Sequence, residues 1–137
     1  MITLLAVLLV LASAYVHYEI LWRLNHVLPR LHLYPARASV LLAVLGAFVS
    51  HFIQISLFAC AYLFIQGRGE AGAGHMDFRT ALYFSTQIYT TLGLGDIYPV
   101  SRARGIVEAE SITGFLMISW TASFTFLEMN RFWSSRR

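Results

Sequence analysis

Three apolar runs, at about 2–22, 38–64 and 105–127, constrain this chain more than anything else in it. Each is at least as long as the roughly 20 residues that a helix needs to cross the hydrocarbon core of a bilayer. In a chain of 137 residues they leave little else to fold. The balance of residues agrees. The chain is 58% hydrophobic and 12% charged, whereas soluble domains are about half apolar and about a quarter charged. A water-soluble core of this size could not hide so much apolar surface, so lipid is the expected solvent.

The polar residues around the runs suggest an orientation. The linker between the first two runs holds Arg23, Arg30 and Arg37, and the C-terminal tail holds Arg131, Arg136 and Arg137. Three crossings place both groups on one side, and arginine flanking a span marks the cytoplasmic side. The N-terminus is then expected outside and the C-terminus inside, in the cell membrane. Arg68, Arg79, Arg102 and Arg104 fall on the outer side, so the bias is mild. Pro29 and Pro35 break helical continuity in the linker. The expected organisation is an N-terminal span at 1–24, a cytoplasmic linker at 25–37 and a further unit at 38–137. Ala12-Ser13-Ala14 has the form of a signal-peptidase site, but no basic region precedes it and the apolar run continues past it. The first run is therefore expected to remain as a span. Cys60 is the only cysteine, which excludes an intrachain disulfide, and it fits a small apolar residue facing lipid or a helix. No basic stripe interleaved with aromatics suggests nucleic acid, and no set of His, Cys and carboxylate has metal-ligand spacing.

Between the second and third runs the pattern changes. A glycine-rich stretch, QGRGEAGAGH, precedes Asp77, a good N-cap for a helix beginning at Phe78. That helix, FRTALYFSTQIYTT, should span about 13 residues and about 20 Å, too short to cross the bilayer. It reads as re-entrant. Next comes TLGLGD, with Gly93 and Gly95 one residue apart. Neither helix nor strand favours glycine there. An ordinary strand alternates its carbonyls. A segment that points every carbonyl one way needs left-handed backbone at alternate residues, which glycine adopts freely. Non-helical backbone at membrane depth is tolerated where protein buries it or where it lines a watery path. Several copies around an axis would turn each carbonyl into a ring of oxygens able to replace the water shell of a cation. The short helix would aim its negative C-terminal end at the same path.

The segment ALYFSTQIYTTLGLGDIYP, residues 81–99, resembles the pore helix, selectivity filter and outer mouth of the potassium-channel superfamily. That family's usual filter reads Thr-Val-Gly-Tyr/Phe-Gly-Asp, and Gly-Leu-Gly-Asp occurs in second pore loops of some two-pore-domain members. The flanking runs match only in order: outer helix at 38–66, pore helix and filter at 77–99, inner helix at 103–130. An additional N-terminal span also occurs in small prokaryotic relatives. The resemblance implies an all-α membrane protein, with three transmembrane helices and a re-entrant pore helix, assembled as a homotetramer around one pore. It implies that Thr91, through hydroxyl and carbonyl, and Leu92, Gly93, Leu94 and Gly95, through carbonyls, line the path of K+. It places Asp96 behind the outer end of the filter, bonded to the pore helix at Gln87, where many relatives have Glu. Tyr83 and Phe84 stand where tryptophans usually support the filter. Leu94 replaces the aromatic that braces the filter, which leaves a weakly selective monovalent cation channel as an alternative.

Other readings compete. Gly-x-Gly-Asp also marks intramembrane aspartyl proteases, but that chemistry needs a second membrane carboxylate, and the only other aspartate is Asp77. A phosphate-binding loop would need lysine, and the chain has none. A noncatalytic accessory protein with a degenerate pore conflicts with the intact Thr91-x-Gly-x-Gly-Asp. Gly114 fits an inner-helix hinge or close helix packing. Ser119 and Ser123 share a helix face and fit either a wet cavity or hydrogen bonds to backbone. Glu108 and Glu110 fit a solvated pair with the nearby arginines, Glu108 four residues from Arg104, or an acidic ring at the mouth. His51 and Gln54, mid-span on one face, fit an interhelical hydrogen bond or a pH sensor. His17 and Glu19 are expected to reach the interface, and Glu128 to be a solvated helix end whose copies could attract cations. Trp22, Tyr34 and Trp133 fit interface anchors. The expected function is passage of K+ down its gradient, with lipid and further copies of the chain as partners. No enzyme activity, organic substrate or organic cofactor is implied.

Overall fold

A computed structural model describes residues 1–30, 36–67, 76–97 and 103–134. Tyr34, Pro35, Arg68, Tyr98, Pro99, Arg102, Arg136 and Arg137 lie outside the described residues, as does the side chain of Trp133. The described part contains four α-helices and no strand. Helix α1 is Ile2–Val27, followed by a 3₁₀ turn at Leu28–Arg30 that contains Pro29; α2 is Ala36–Gly67, α3 is Phe78–Tyr89 and α4 is Arg104–Ser134. At 1.5 Å per residue, α1, α2 and α4 are each about 39 Å or longer and α3 is about 18 Å. Three helices are therefore long and apolar enough to cross a membrane, and α3 is not.

The long helices outlast their apolar runs because backbone hydrogen bonding is indifferent to side-chain polarity. Arg23 Nε donates to Glu19 Oε1 at 2.8 Å on the last exposed turns of α1, and Trp22 stacks on His26 with ring centres 4.2 Å apart. Ser13 is buried in the middle of α1, which packs against both α2 and α4. The first run is thus an integral layer of the fold.

Helix α3 lies against α2 and α4. In lipid, helices gain little from hiding apolar surface, since acyl chains are equally apolar; close packing and interhelical hydrogen bonds hold them together. Both are present. Ala43, Ala47 and Ser50 form a buried small-residue seam on α2. Gly46 lies on the same seam, so close to α1 that a Cβ there would meet Leu24 Cδ1 at 2.6 Å. A larger cluster gathers Phe58, Tyr62 and Ile65 of α2, Phe84 of α3, Ile106 of α4 and Ala6 and Leu9 of α1. Tyr62 and Phe84 meet edge to face there, 5.0 Å apart. Phe84 therefore belongs to the core behind the short helix. Only 22–28% of the most apolar part of each long helix is buried within one copy.

Candidate functional site

The short helix α3 is set by its ends. Asp77 caps it, accepting a hydrogen bond from the Thr80 backbone N–H at 2.8 Å, and hydrogen bonding from Thr80, its side chain first and its backbone N–H second, holds the Asp77 carboxyl below the usual carboxylate range. At the other end Thr90 keeps right-handed backbone and donates to Thr86 O. Thr91 then turns left-handed, at φ 58°, and the helix stops. Left-handed backbone recurs at Gly93, φ 53°, and Gly95, φ 76°. So every second residue from 91 to 95 reverses hand, which is the alternation that an aligned row of carbonyls requires. Glycine adopts it freely, whereas a β-branched residue is strained there. Thr91 was not expected to join the pattern, although counting back two places from Gly93 would have found it.

One residue carries the amide side of this segment. The Gln87 carbonyl accepts from Leu92 N at 2.9 Å and from Gly93 N at 3.3 Å. Gln87 Oε1 accepts from Leu94 N at 2.9 Å. Gln87 Nε2 donates to Asp96 Oδ1 at 3.0 Å, and Tyr83 Oη donates to Asp96 Oδ2 at 2.8 Å. These two bonds, that from Gln87 first, hold the Asp96 carboxyl below its ordinary range. The N–H groups thus turn back toward α3. Among the described residues, none of the carbonyls from Thr91 to Gly95 accepts a hydrogen bond. Leu92 and Leu94 are 63% and 60% exposed, so the Leu94 side chain is not a brace within one copy; main-chain bonds to Gln87 do that work. Of the four residues expected near the segment as supports, Gln87, Tyr83 and Asp96 are joined by hydrogen bonds, and Phe84 turns to the core.

Gly114 places α4 directly on the end of α3. A Cβ at Gly114 would lie 2.0 Å from the Tyr89 carbonyl oxygen and 2.7 Å from its carbon. This contact is close packing, and it locates the residue from which the non-helical segment departs.

Behind the same point a polar cycle, buried at His17, Gln54 and Tyr89 and partly buried at His51 and Thr121, unites all four helices. Gln54 Nε2 lies 3.1 Å from His17 Nδ1, His17 Nε2 3.3 Å from Thr121 Oγ1, and Thr121 Oγ1 2.9 Å from His51 Nε2. His51 Nδ1 lies 2.9 Å from Tyr89 Oη, which donates to Gln54 Oε1 at 2.9 Å. One assignment of hydrogens satisfies every member. Gln54 donates to His17, His17 to Thr121, Thr121 to His51, His51 to Tyr89 and Tyr89 back to Gln54, with both imidazoles neutral. His51 and Gln54 are thus interhelical bonding groups. His17 does not reach the interface: it is fully buried, because α1 faces α2 and α4 at that level. Sequence offered little hint of this, since Thr121 looks like an ordinary apolar-run residue and Tyr89 like an ordinary residue of the short helix.

Three further expectations need correction or placement. Glu110 is fully buried, bonded to Tyr62 and Ser85, and is not part of an exposed acidic ring. Glu108 is exposed, and among the described ion pairs none joins it to Arg104. Glu128 is also buried, with Oε1 3.8 Å from Arg131 Nη1, because α4 still packs on α1 there, where Arg131 donates to Asn25 Oδ1 at 3.1 Å. It is not a solvated helix end. Ser119 and Ser123 are exposed and donate to the carbonyls of Phe115 and Ser119, one turn back. Cys60 is exposed, as expected of a residue facing lipid or another helix.

A family model described as "ion channel" matches residues 38–130, well over half the chain. The chain belongs to this ion-channel family, whose members have a potassium-channel-like pore domain. The match covers α2, α3, the left-handed segment and nearly all of α4. Comparison with curated proteins and with solved structures returned no match. With three helices able to cross a bilayer, the channel is a multi-pass membrane protein.

Proposed function

We propose that this channel passes K+ down its gradient through a filter built from Thr91, Leu92, Gly93, Leu94 and Gly95, with four copies of the chain around one axis. The observation that carries the reading is the alternation of left-handed backbone at 91, 93 and 95, with the N–H groups of residues 92–94 bonded back to Gln87. That arrangement leaves carbonyls to replace a cation's water shell, one ring per residue in a four-fold assembly. Thr91 adds its hydroxyl at the innermost ring. Helix α3 ends at this point, and the partial negative charge of its C-terminus favours a cation there. Asp96, tethered by Gln87 and Tyr83, holds the outer end. The arginines at 23, 30, 37 and 131 support a cytoplasmic C-terminus.

The exposure of Leu94 favours one second reading, a pore that passes Na+ nearly as well as K+. Flux from liposomes containing the purified full chain separates the two. The proposal expects K+ flux well above Na+ flux, and a loss of flux in Gly93→Ala. The space around Gly93 is open, so that loss would come from backbone strain alone, about 1–2 kcal/mol per copy. Equal K+ and Na+ flux would establish the second reading. Wild-type flux in Gly93→Ala would remove this segment from the ion path.

A further inference from the structure

Glu110 lies where α2, α3 and α4 meet, with no surface exposed to solvent. Three oxygen–oxygen contacts converge there. Tyr62 Oη donates to Glu110 Oε2 at 2.5 Å. Ser85 Oγ is in hydrogen-bond contact with Glu110 Oε1. The same Ser85 Oγ is in contact with the Ile55 carbonyl oxygen at 2.8 Å. As a two-centre O–H···O bond, each contact needs one hydrogen between its oxygens. Tyr62 and Ser85 carry one each, and the Ile55 carbonyl carries none. The third hydrogen has only one possible owner among these groups, the carboxyl of Glu110.

Electrostatics points the same way. Among the described residues no ion pair involves Glu110, and the titratable groups facing it are phenols, Tyr62 from α2 and Tyr89 from α3. A carboxylate buried without a cation is costly and usually becomes neutral instead. We propose that Glu110 is held as a neutral carboxylic acid and is a positioning residue for the pore helix: it donates to Ser85, accepts from Tyr62, and lets Ser85 donate to Ile55. The clasp grips α3 two residues before Gln87, which carries Leu94 and Asp96. Glu110 thereby sets the position of the filter without touching the ion path. This consequence for flux rests on the function proposed above; the protonation state does not.

The test uses the full chain in lipid and has two arms. Infrared difference spectra between wild type and Glu110→Gln should show the carbonyl stretch of a protonated carboxylic acid at neutral pH, shifted in D₂O and missing from the variant. A spectrum with only carboxylate bands lost would overturn the proposal. In the flux arm, Glu110→Gln should stay close to wild type, since an amide donates to Ser85 and accepts from Tyr62. Glu110→Ala should lose about tenfold or more. Equal loss in both variants would overturn the positioning role. If Glu110→Ala fails to fold, Glu110→Asp, one methylene too short to span both partners, takes its place with the same expectation. A wild-type protein that passes no ion would sink the proposed function and the flux arm together, leaving the infrared arm to decide the protonation state.

Discussion

Replacing Gly114 by alanine tests how α4 supports the proposed filter, because the added methyl carbon has no room. It would fall 2.0 Å from the Tyr89 carbonyl oxygen and 2.9 Å from its Cα. To reach ordinary contact at 3.4 Å, the oxygen must retreat by about 1.4 Å. The obstacle is backbone, so no flexible side chain can absorb the shift. Overpacking of this kind costs roughly 1–3 kcal/mol, and a backbone obstacle belongs at the upper end. Alanine returns up to about 1 kcal/mol of helix propensity. The net loss is about 2 kcal/mol, roughly thirtyfold in the folded-to-unfolded ratio. Gly105 is the internal control: it lies in the same helix with nothing within 4 Å of a Cβ. Gly105→Ala should therefore be neutral or stabilising. Thermal unfolding of both variants in lipid, with ion flux alongside, reads the difference. Gly114→Ala should unfold earlier and lose flux, since the displaced Tyr89 carbonyl lies two residues from Thr91. If Gly114→Ala matches Gly105→Ala in stability and flux, the close-packing argument fails.

Further predictions concern the segment's supports. Gln87→Leu removes the acceptor for Leu94 N and a donor to Asp96; losing the first bond alone costs about 0.5–1.5 kcal/mol, and the K+/Na+ flux ratio should fall, whereas an unchanged ratio would mean that Gln87 does not shape the proposed filter. Tyr89→Phe deletes the hydroxyl that serves both His51 and Gln54, leaving buried polar groups unpaired at about 1–3 kcal/mol; chemical denaturation should register that loss. The cap at Asp77 is pH-dependent. Its carboxyl is held low in the folded state, so its support is present above the ordinary carboxylate range and is lost as the pH falls through the lowered value. Asp77→Asn, an equally good cap, should remove this acid sensitivity, and hydrogen exchange at the start of α3 in the two proteins would measure it.

The spans and the short helix were legible in the sequence because length and apolarity decide both in a bilayer. Asp77 announced the start of α3 by its chemistry as a cap, and Gly93 and Gly95 announced left-handed backbone because chirality gives few other reasons for glycine there. Thr91 was hidden, since threonine does not advertise that conformation. His17, Glu110 and Glu128 look like boundary residues in the sequence for a different reason. A polar side chain near the end of an apolar run has the same local pattern whether it faces water or a neighbouring helix. What decides is the partner, and the partners are remote: Thr121 lies 104 residues from His17, and Tyr62 lies 48 from Glu110. The ends of α1 and α4 ran past their apolar runs because polar residues such as Glu19 and Arg23 extend a helix as readily as they end a span.

Cryo-electron microscopy of the full chain in lipid nanodiscs with K+ is the most direct measurement of the central claim. The account predicts four copies around one axis, the carbonyls of residues 91–95 facing it, and ion density between successive oxygen rings. Carbonyls turned away from any symmetry axis, or ion density lined by other residues, would contradict it.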